Sequence, residues 1–419
     1  MIEILYSKLN LERSKVIYFI TLISEKLLIL FFHFFIVNYF SSESYGILNQ
    51  TNFISAFMQN ILMFGVAIPF IVSVSRDKKL NKFFFNFFVP TSIIISILFF
   101  LIVIISGDQL SNILFGDIIY KNYLLVLLVI IISDILSEYI IVKHRVENQL
   151  NYHSNFILSR SVLKISILLI VYYLTNSFFI SFLISSLTYF IFTLIIALIY
   201  FDLKFSTYKS ILTLYSKEIK SLFFEGIQLT IIYILISASS ILINILIVNE
   251  FDISTLAIYN FNFMLASAPM TILGYITFYA LPDFSKKTTN SYDVRSSNIF
   301  KDILLSSIIF LLFFVIVFLS YDLITSLINE YYKNRFLFTI IFISNFIFML
   351  NNFFQFPLLN QKNYKSLILI IFISLSLNII YLFIIDKQFT ILTPIYGFMI
   401  TNISAFILLV ITNFYIYHK

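Results

Sequence analysis

Apolar residues run along this chain in twelve long blocks separated by short polar breaks: 16–40, 47–75, 83–105, 122–142, 156–174, 178–201, 221–248, 255–281, 300–319, 336–359, 366–385 and 394–417. A helix rising 1.5 Å per residue needs roughly 20 such residues to cross a hydrocarbon core about 30 Å thick. The runs are continuous, without the period-two alternation of a membrane β-barrel strand. The pattern therefore predicts an all-α polytopic membrane protein with twelve transmembrane helices. The longest connection, Asp202 to Lys220, divides them into two six-helix bundles, residues 1–210 and 211–419. That connection is amphipathic through Phe205, Leu212 and Leu214, with four lysines, and suits a helix lying on a lipid surface. No segment outside the runs is long enough for a folded extramembrane domain.

Composition agrees. Hydrophobic residues make up 60% of the chain and charged residues 11%, against roughly 45–50% and 25% in soluble domains. So few charges could not cover the surface of a water-soluble protein of this size. The basic residues are unevenly placed. One set of alternate connections holds 20 of the lysines and arginines and the other holds Lys121, Lys333, Arg335 and Lys387. By the positive-inside rule the rich side is cytoplasmic, with both termini there, and the net charge of +6 reports topology with no call for nucleic acid. The basic N-terminus precedes a long apolar run without a small-residue cleavage site, so the first span is expected to stay. There are no cysteines and four histidines, which excludes thiolate chemistry and a histidine-rich metal cluster. The seven glycines include no phosphate-loop or dinucleotide spacing. No cofactor is expected.

Three stretches carry a family likeness. Asn38-Tyr-Phe-Ser-Ser-Glu-Ser-Tyr-Gly46 is followed by Phe64-Gly65 within the long second run; Ile258-Tyr259-Asn260-Phe261 opens the eighth; Leu281-Pro-Asp-Phe-Ser-Lys-Lys287 closes it. In these, and in length, span count and two-half layout, the chain resembles the polysaccharide flippases, the Wzx-type O-antigen transporters of the MATE-like superfamily. The resemblance implies a flippase in a bacterial cytoplasmic membrane that moves undecaprenyl-diphosphate-linked oligosaccharide. It also implies partners: the lipid-linked oligosaccharide itself, membrane lipids, and polysaccharide polymerase and chain-length proteins. Gly46 and Gly65 can be packing or turn glycines as well as functional ones, and the small-residue rule favours packing by roughly three to one.

A path for a sugar needs polar groups where lipid offers none, and an amide supplies both donor and acceptor. The second span carries Asn49, Asn52, Gln59 and Asn60 near one helical face; the tenth carries Asn345, Asn352 and Gln355; Asn262 and Asn378 add to the set. Hydrogen bonding between packed helices is the alternative use of these amides. Ionisable residues inside spans cost about 2.5–3.5 kcal/mol each near the helix centre, which makes them functional candidates. Asp134 and Glu138 in the fourth span, and Arg160 and Lys164 in the fifth, are each spaced by four and so share a face. An antiparallel register about Gln149 sets Glu138 opposite Arg160 and Asp134 opposite Lys164, either as packing ion pairs or as cations lent to a diphosphate or acidic sugar. In the first span, Lys26 and His33 share a face that could meet an anionic head group. Glu25 lies deep enough to be costly to keep charged, which suits a group that takes up and releases protons. Glu25, Asp134 and Glu138 are thus the ion-coupling candidates, and Glu225 is read as interfacial. The rivals are a small-molecule exporter of the same superfamily, with a drier aromatic cavity, and a membrane polysaccharide polymerase or glycosyltransferase. The enzyme would want a large external loop, whereas the longest outer connections here are about 16 residues and their acids, Asp108 and Asp117, are isolated.

Overall fold

The computed structural model describes residues 13–67, 69–71, 80–147, 149–201, 216–287, 297–328, 332–385 and 390–417. The linker at 202–215, both chain ends and many topology-setting basic residues, among them Arg76, Lys78, Lys79 and Arg295, lie outside them. Among the described residues there are twelve long helices and no strand. They are α1 (Arg13–Tyr39), α2 (Ser42–Leu62), α3 (Leu80–Ile105), α5 (Lys121–Val146), α6 (Leu150–Thr175), α7 (Phe178–Tyr200), α8 (Ser216–Glu250), α9 (Ile253–Lys287), α10 (Ser297–Ser326), α11 (Arg335–Asn360), α12 (Tyr364–Ile385) and α13 (Thr393–Tyr417). A short helix α4 (Gly107–Phe115) and a 3-10 turn (Ile118–Tyr120) connect α3 to α5. Ten of the twelve are long and apolar enough to cross a membrane. The two exceptions, α2 and α9, are diluted in their described residues by Asn49, Gln50, Asn52, Gln59 and Asn60, and by Asn260 and Asn262. The chain is an all-helical, multi-pass membrane protein.

The helices pack into two compact units. Met1–Ile36, Thr51–Asn112 and Asp117–Ile227 form the first; Val37–Gln50, Ile113–Gly116 and Gln228–Lys419 form the second. In the first, α5 is the hub, packed against α3, α6 and α7, with α6 also lying on α7. In the second the hub is α11, which meets α9, α10, α12 and α13. A helix enclosed on several sides must satisfy its polar side chains with protein partners, because neither water nor lipid reaches them. Both hubs are rich in such side chains.

Local sequence sets the turns. Asn176 (φ 51°) ends α6 in the left-handed conformation that asparagine tolerates, and its N–H donates to the Tyr172 carbonyl at 2.8 Å. Asn334 caps α11, its Oδ1 accepting from the Leu337 N–H at 3.0 Å. Gly46 is a packing glycine: a Cβ there would overlap the Ile253 carbonyl oxygen, so only hydrogen allows α2 to meet the start of α9 this closely.

One expectation is corrected. The second apolar run, 47–75, does not form one continuous helix. Regular α2 stops at Leu62, and both Phe64 (φ 53°) and Gly65 (φ 55°) are left-handed. The Gly65 N–H reaches back to the Asn60 carbonyl and the Val66 N–H to the Met63 carbonyl, each at 3.3 Å, before helix resumes at Ala67. Pro69 is a physical cause: it has no N–H to give the Gly65 carbonyl. The Phe64 carbonyl instead packs against α8, where a Cβ on Gly226 would overlap its oxygen.

Candidate functional site

Glu25, Asp134, Glu138, Arg160 and Lys164 of the first unit gather where α1, α2, α5, α6 and α7 supply side chains. Glu25 is 2% exposed. Its Oε1 accepts from the Ser161 hydroxyl at 3.0 Å, and Lys26 Nζ folds back to an ion pair within 3.1 Å of Oε2. Lys26 itself is 40% exposed, so its stem lies on the protein while its charge reaches outward. Two turns further along α1, His33 is half-buried, its ring 6.1 Å from that of Phe32.

Asp134, on the hub helix, accepts two hydrogen bonds. Ser55 Oγ donates to Oδ2 at 2.5 Å, and the Tyr189 hydroxyl donates to Oδ1 at 3.0 Å. Arg160 Nη1 donates to Ser137 Oγ at 2.6 Å. Lys164 Nζ donates to Asn52 Oδ1 at 3.2 Å and lies 5.6 Å from the centre of the Tyr189 ring, while the Lys164 carbonyl accepts from Ser185 Oγ at 2.7 Å. Glu138, which is half-buried, lies within the electrostatic reach of Arg160, as do Asp134 and the buried Glu25.

This arrangement differs from the register-based pairing in one respect. The Ser137–Arg160 contact puts α5 and α6 within one residue of the expected register. Among the described residues the direct ion pairs Glu138–Arg160 and Asp134–Lys164 are not formed: both cations hydrogen-bond to neutral groups, and Asp134 is occupied by two hydroxyls. A guanidinium offers five N–H donors and an ammonium three. A cation held by a hydroxyl or an amide keeps its charge uncompensated at contact distance, and can turn its remaining donors toward an anion.

The amides divide by what they do. Asn52 joins the charged group. Asn49 and Asn60 donate to carbonyls of their own helix, Tyr45 at 2.9 Å and Ala56 at 3.1 Å, and Gln59 is half-buried. In the second unit Asn262 is fully engaged. Its Nδ2 donates to the Ile258 and Tyr332 carbonyls at 2.9 and 3.2 Å, and its Oδ1 accepts from the Tyr321 hydroxyl at 2.8 Å. Tyr321 also accepts the Asn334 N–H at 2.9 Å, so Asn262 fastens α9, α10 and the start of α11 together. On α11, Asn345 and Gln355 are buried and Asn352 is half-buried. The neighbouring positions make the contacts between helices: Asn351 Nδ2 donates to the Asn402 carbonyl at 3.0 Å, and Asn402 Nδ2 to Ser344 Oγ at 3.0 Å. Asn378 is buried with its Oδ1 pressed against Gly397.

Sequence reasoning missed Ser55, Ser137, Ser161 and Tyr189. A serine is inexpensive in a membrane helix because it can bond the carbonyl one turn back, as Ser96, Ser106 and Ser133 do here. Ser55 and Ser161 bond carboxylates instead. The available signal is position: Ser55 lies one turn from Asn52, and Ser137 and Ser161 adjoin Glu138 and Arg160.

Comparison with known proteins addresses the fold. No family model and no curated protein matches the sequence. Three solved structures of MATE transporters do match the structure. An inward-facing conformation of a multidrug resistance MATE family transporter of the MOP superfamily has a TM-score of 0.66 at 14% identity, covering 93% of this chain and 96% of that one. The MATE multidrug transporter DinF-BH, solved in complex with a ligand, gives 0.64 at 15% identity, covering 95% and 92%. An outward-facing multidrug resistance MATE family transporter gives 0.56 at 13% identity, covering 94% and 93%. This chain therefore has the fold of the MATE transporters over nearly its whole length.

Proposed function

We propose that this protein is a transporter working by alternating access in a bacterial cytoplasmic membrane, and that its substrate is an oligosaccharide linked to a polyprenyl diphosphate. The observation that carries the reading is the pair of intramembrane cations, Arg160 and Lys164, held by Ser137 and Asn52 in place of acids. Cations within a span are costly, and an anionic head group would give them the direct ion contact that the nearby acids do not make. No covalent chemistry is involved. The residues bind, release and move charge, with Glu25, Asp134 and Glu138 as the groups that couple movement to an ion gradient. In the first unit Lys26, His33, Asn52 and Asn60, and in the second Asn49, Asn352 and Gln355, are the side chains that would meet the sugar. Asn262, with all its hydrogen-bonding groups used inside the protein, serves packing.

The solved structures of similar fold are named as multidrug transporters, which supports a second reading as a small-molecule exporter. Sign of charge separates the two. In reconstituted vesicles, Arg160→Gln with Lys164→Gln is expected to reduce translocation of a polyprenyl-diphosphate oligosaccharide at least tenfold. The same variant would leave export of a cationic dye unchanged or raise it. Dye export with no glycan translocation by the unaltered protein would replace the flippase reading with the exporter.

A further inference from the structure

Asn52 and Ser55 lie one turn apart on α2, and each bonds one member of an oppositely charged couple: Asn52 takes the Lys164 ammonium and Ser55 the Asp134 carboxylate. The couple also shares Tyr189. The ammonium stands 5.6 Å from the ring centre, and the phenol hydroxyl at the end of that ring donates to Asp134 at 3.0 Å. Asp134 lies within the electrostatic reach of Lys164, yet the two do not touch. Opposite charges in a poorly screened interior attract, and a lysine stem is flexible. Each charge is bonded instead by a neutral group presented by α2. Asparagine and serine suit this because each offers both a donor and an acceptor without charge: the Asn52 oxygen faces the cation and the Ser55 hydroxyl faces the anion.

We infer that Asn52 and Ser55 are positioning residues, a neutral spacer on α2 that keeps Lys164 and Asp134 from neutralising each other and so leaves Lys164 available to an anionic ligand. The ligand part of this inference rests on the function proposed above; the spacing part does not. The chemical class concerned is a phosphate or diphosphate ester, which a point-charge ammonium binds readily. Removing the spacer would let Lys164 swing onto Asp134 and be lost to the ligand. Removing Asp134 as well would give it back.

Two measurements on the purified full chain test this. The first is a thermal double-mutant cycle between Asp134→Asn and Lys164→Met. With the spacer intact the two shifts in midpoint are expected to couple weakly, through Tyr189 and the attraction between the charges. In an Asn52→Leu, Ser55→Ala background the coupling is expected to grow, because the pair has formed. The same coupling in both backgrounds would overturn the spacer. If that background does not fold, Asn52→Leu alone takes its place, with Asn52→Gln as the conservative control that keeps the weak coupling. The second is binding of inorganic pyrophosphate, expected to weaken at least tenfold when the spacer is removed and to recover when Asp134→Asn is added. Weakening without recovery would mean that Asn52 or Ser55 touches the anion itself, and would overturn the positioning role. If the unaltered protein binds no pyrophosphate, the anionic substrate falls and the thermal cycle alone decides the spacer.

Discussion

A carboxylate inside a membrane span is informative because it is expensive, and Glu25 shows how that cost is met. Its immediate neighbours are one hydroxyl and one adjacent ammonium that is itself 40% exposed. Changing Glu25 to Gln preserves an acceptor for Ser161, and Lys26 can extend outward when its partner loses charge. The protein is therefore expected to accumulate and unfold near the normal temperature, while a proton gradient imposed on vesicles no longer drives glycan movement. Unchanged gradient dependence would assign Glu25 to packing and pass the coupling role to Asp134. The same cost explains what could be read at this scale from sequence. Glu25, Asp134, Glu138, Arg160 and Lys164 stand out in apolar runs. Ser55, Ser161 and Tyr189 do not, because hydroxyls are tolerated almost anywhere in a membrane helix and only contact reveals which of them serve a charge.

For whole elements, the length of an apolar run predicts a span well and its internal continuity poorly. α7 falls within one residue of the expected bounds, whereas α5 runs four residues past its apolar run and α6 begins six before its own, because helices continue into the polar residues between the runs. The run at 47–75 hides its interruption: Gly65 and Pro69 leave hydropathy high while removing regular hydrogen bonding. Small residues also mark close approach, but the run does not say of what. Gly46 meets a backbone carbonyl of α9, and Gly226 meets that of Phe64. These contacts predict an outcome. Gly46→Val would drive carbon into the Ile253 carbonyl at the start of α9, and overpacking of this kind costs about 1–3 kcal/mol. The variant is expected to show a lowered unfolding temperature in detergent, with Gly46→Ala intermediate. A midpoint unaltered in both variants would show that the two helix ends can separate freely.

For the molecule as a whole, the order of apolar blocks was enough to anticipate a helical multi-pass protein, because hydropathy follows from the bilayer and owes little to packing detail. The choice of hubs was not visible. α5 and α11 carry polar side chains, but so do α2 and α9, and only packing tells which helices several neighbours enclose. Orientation rests on the 20-to-4 distribution of basic residues and can be tested directly. Reporter fusions after Lys79, Lys209, Lys287 and Lys419 are expected to report cytoplasm, and fusions near Asp117, Glu250, Glu330 and Lys387 the outside. Two or more inversions among the eight would break the twelve-span topology. The position of the first hub also bears on biogenesis. α5 carries Asp134 and Glu138 out of the ribosome before α6 and α7 have been made, yet Arg160 and Tyr189, which face those acids, lie on these later helices. At about 5–20 residues per second, the delay before α7 is complete is about 3–13 s. For that interval the nascent chain has Ser55 of α2 as the one described direct partner of Asp134 already synthesised, so α5 reaches the membrane with most of the surroundings of its acids still to come.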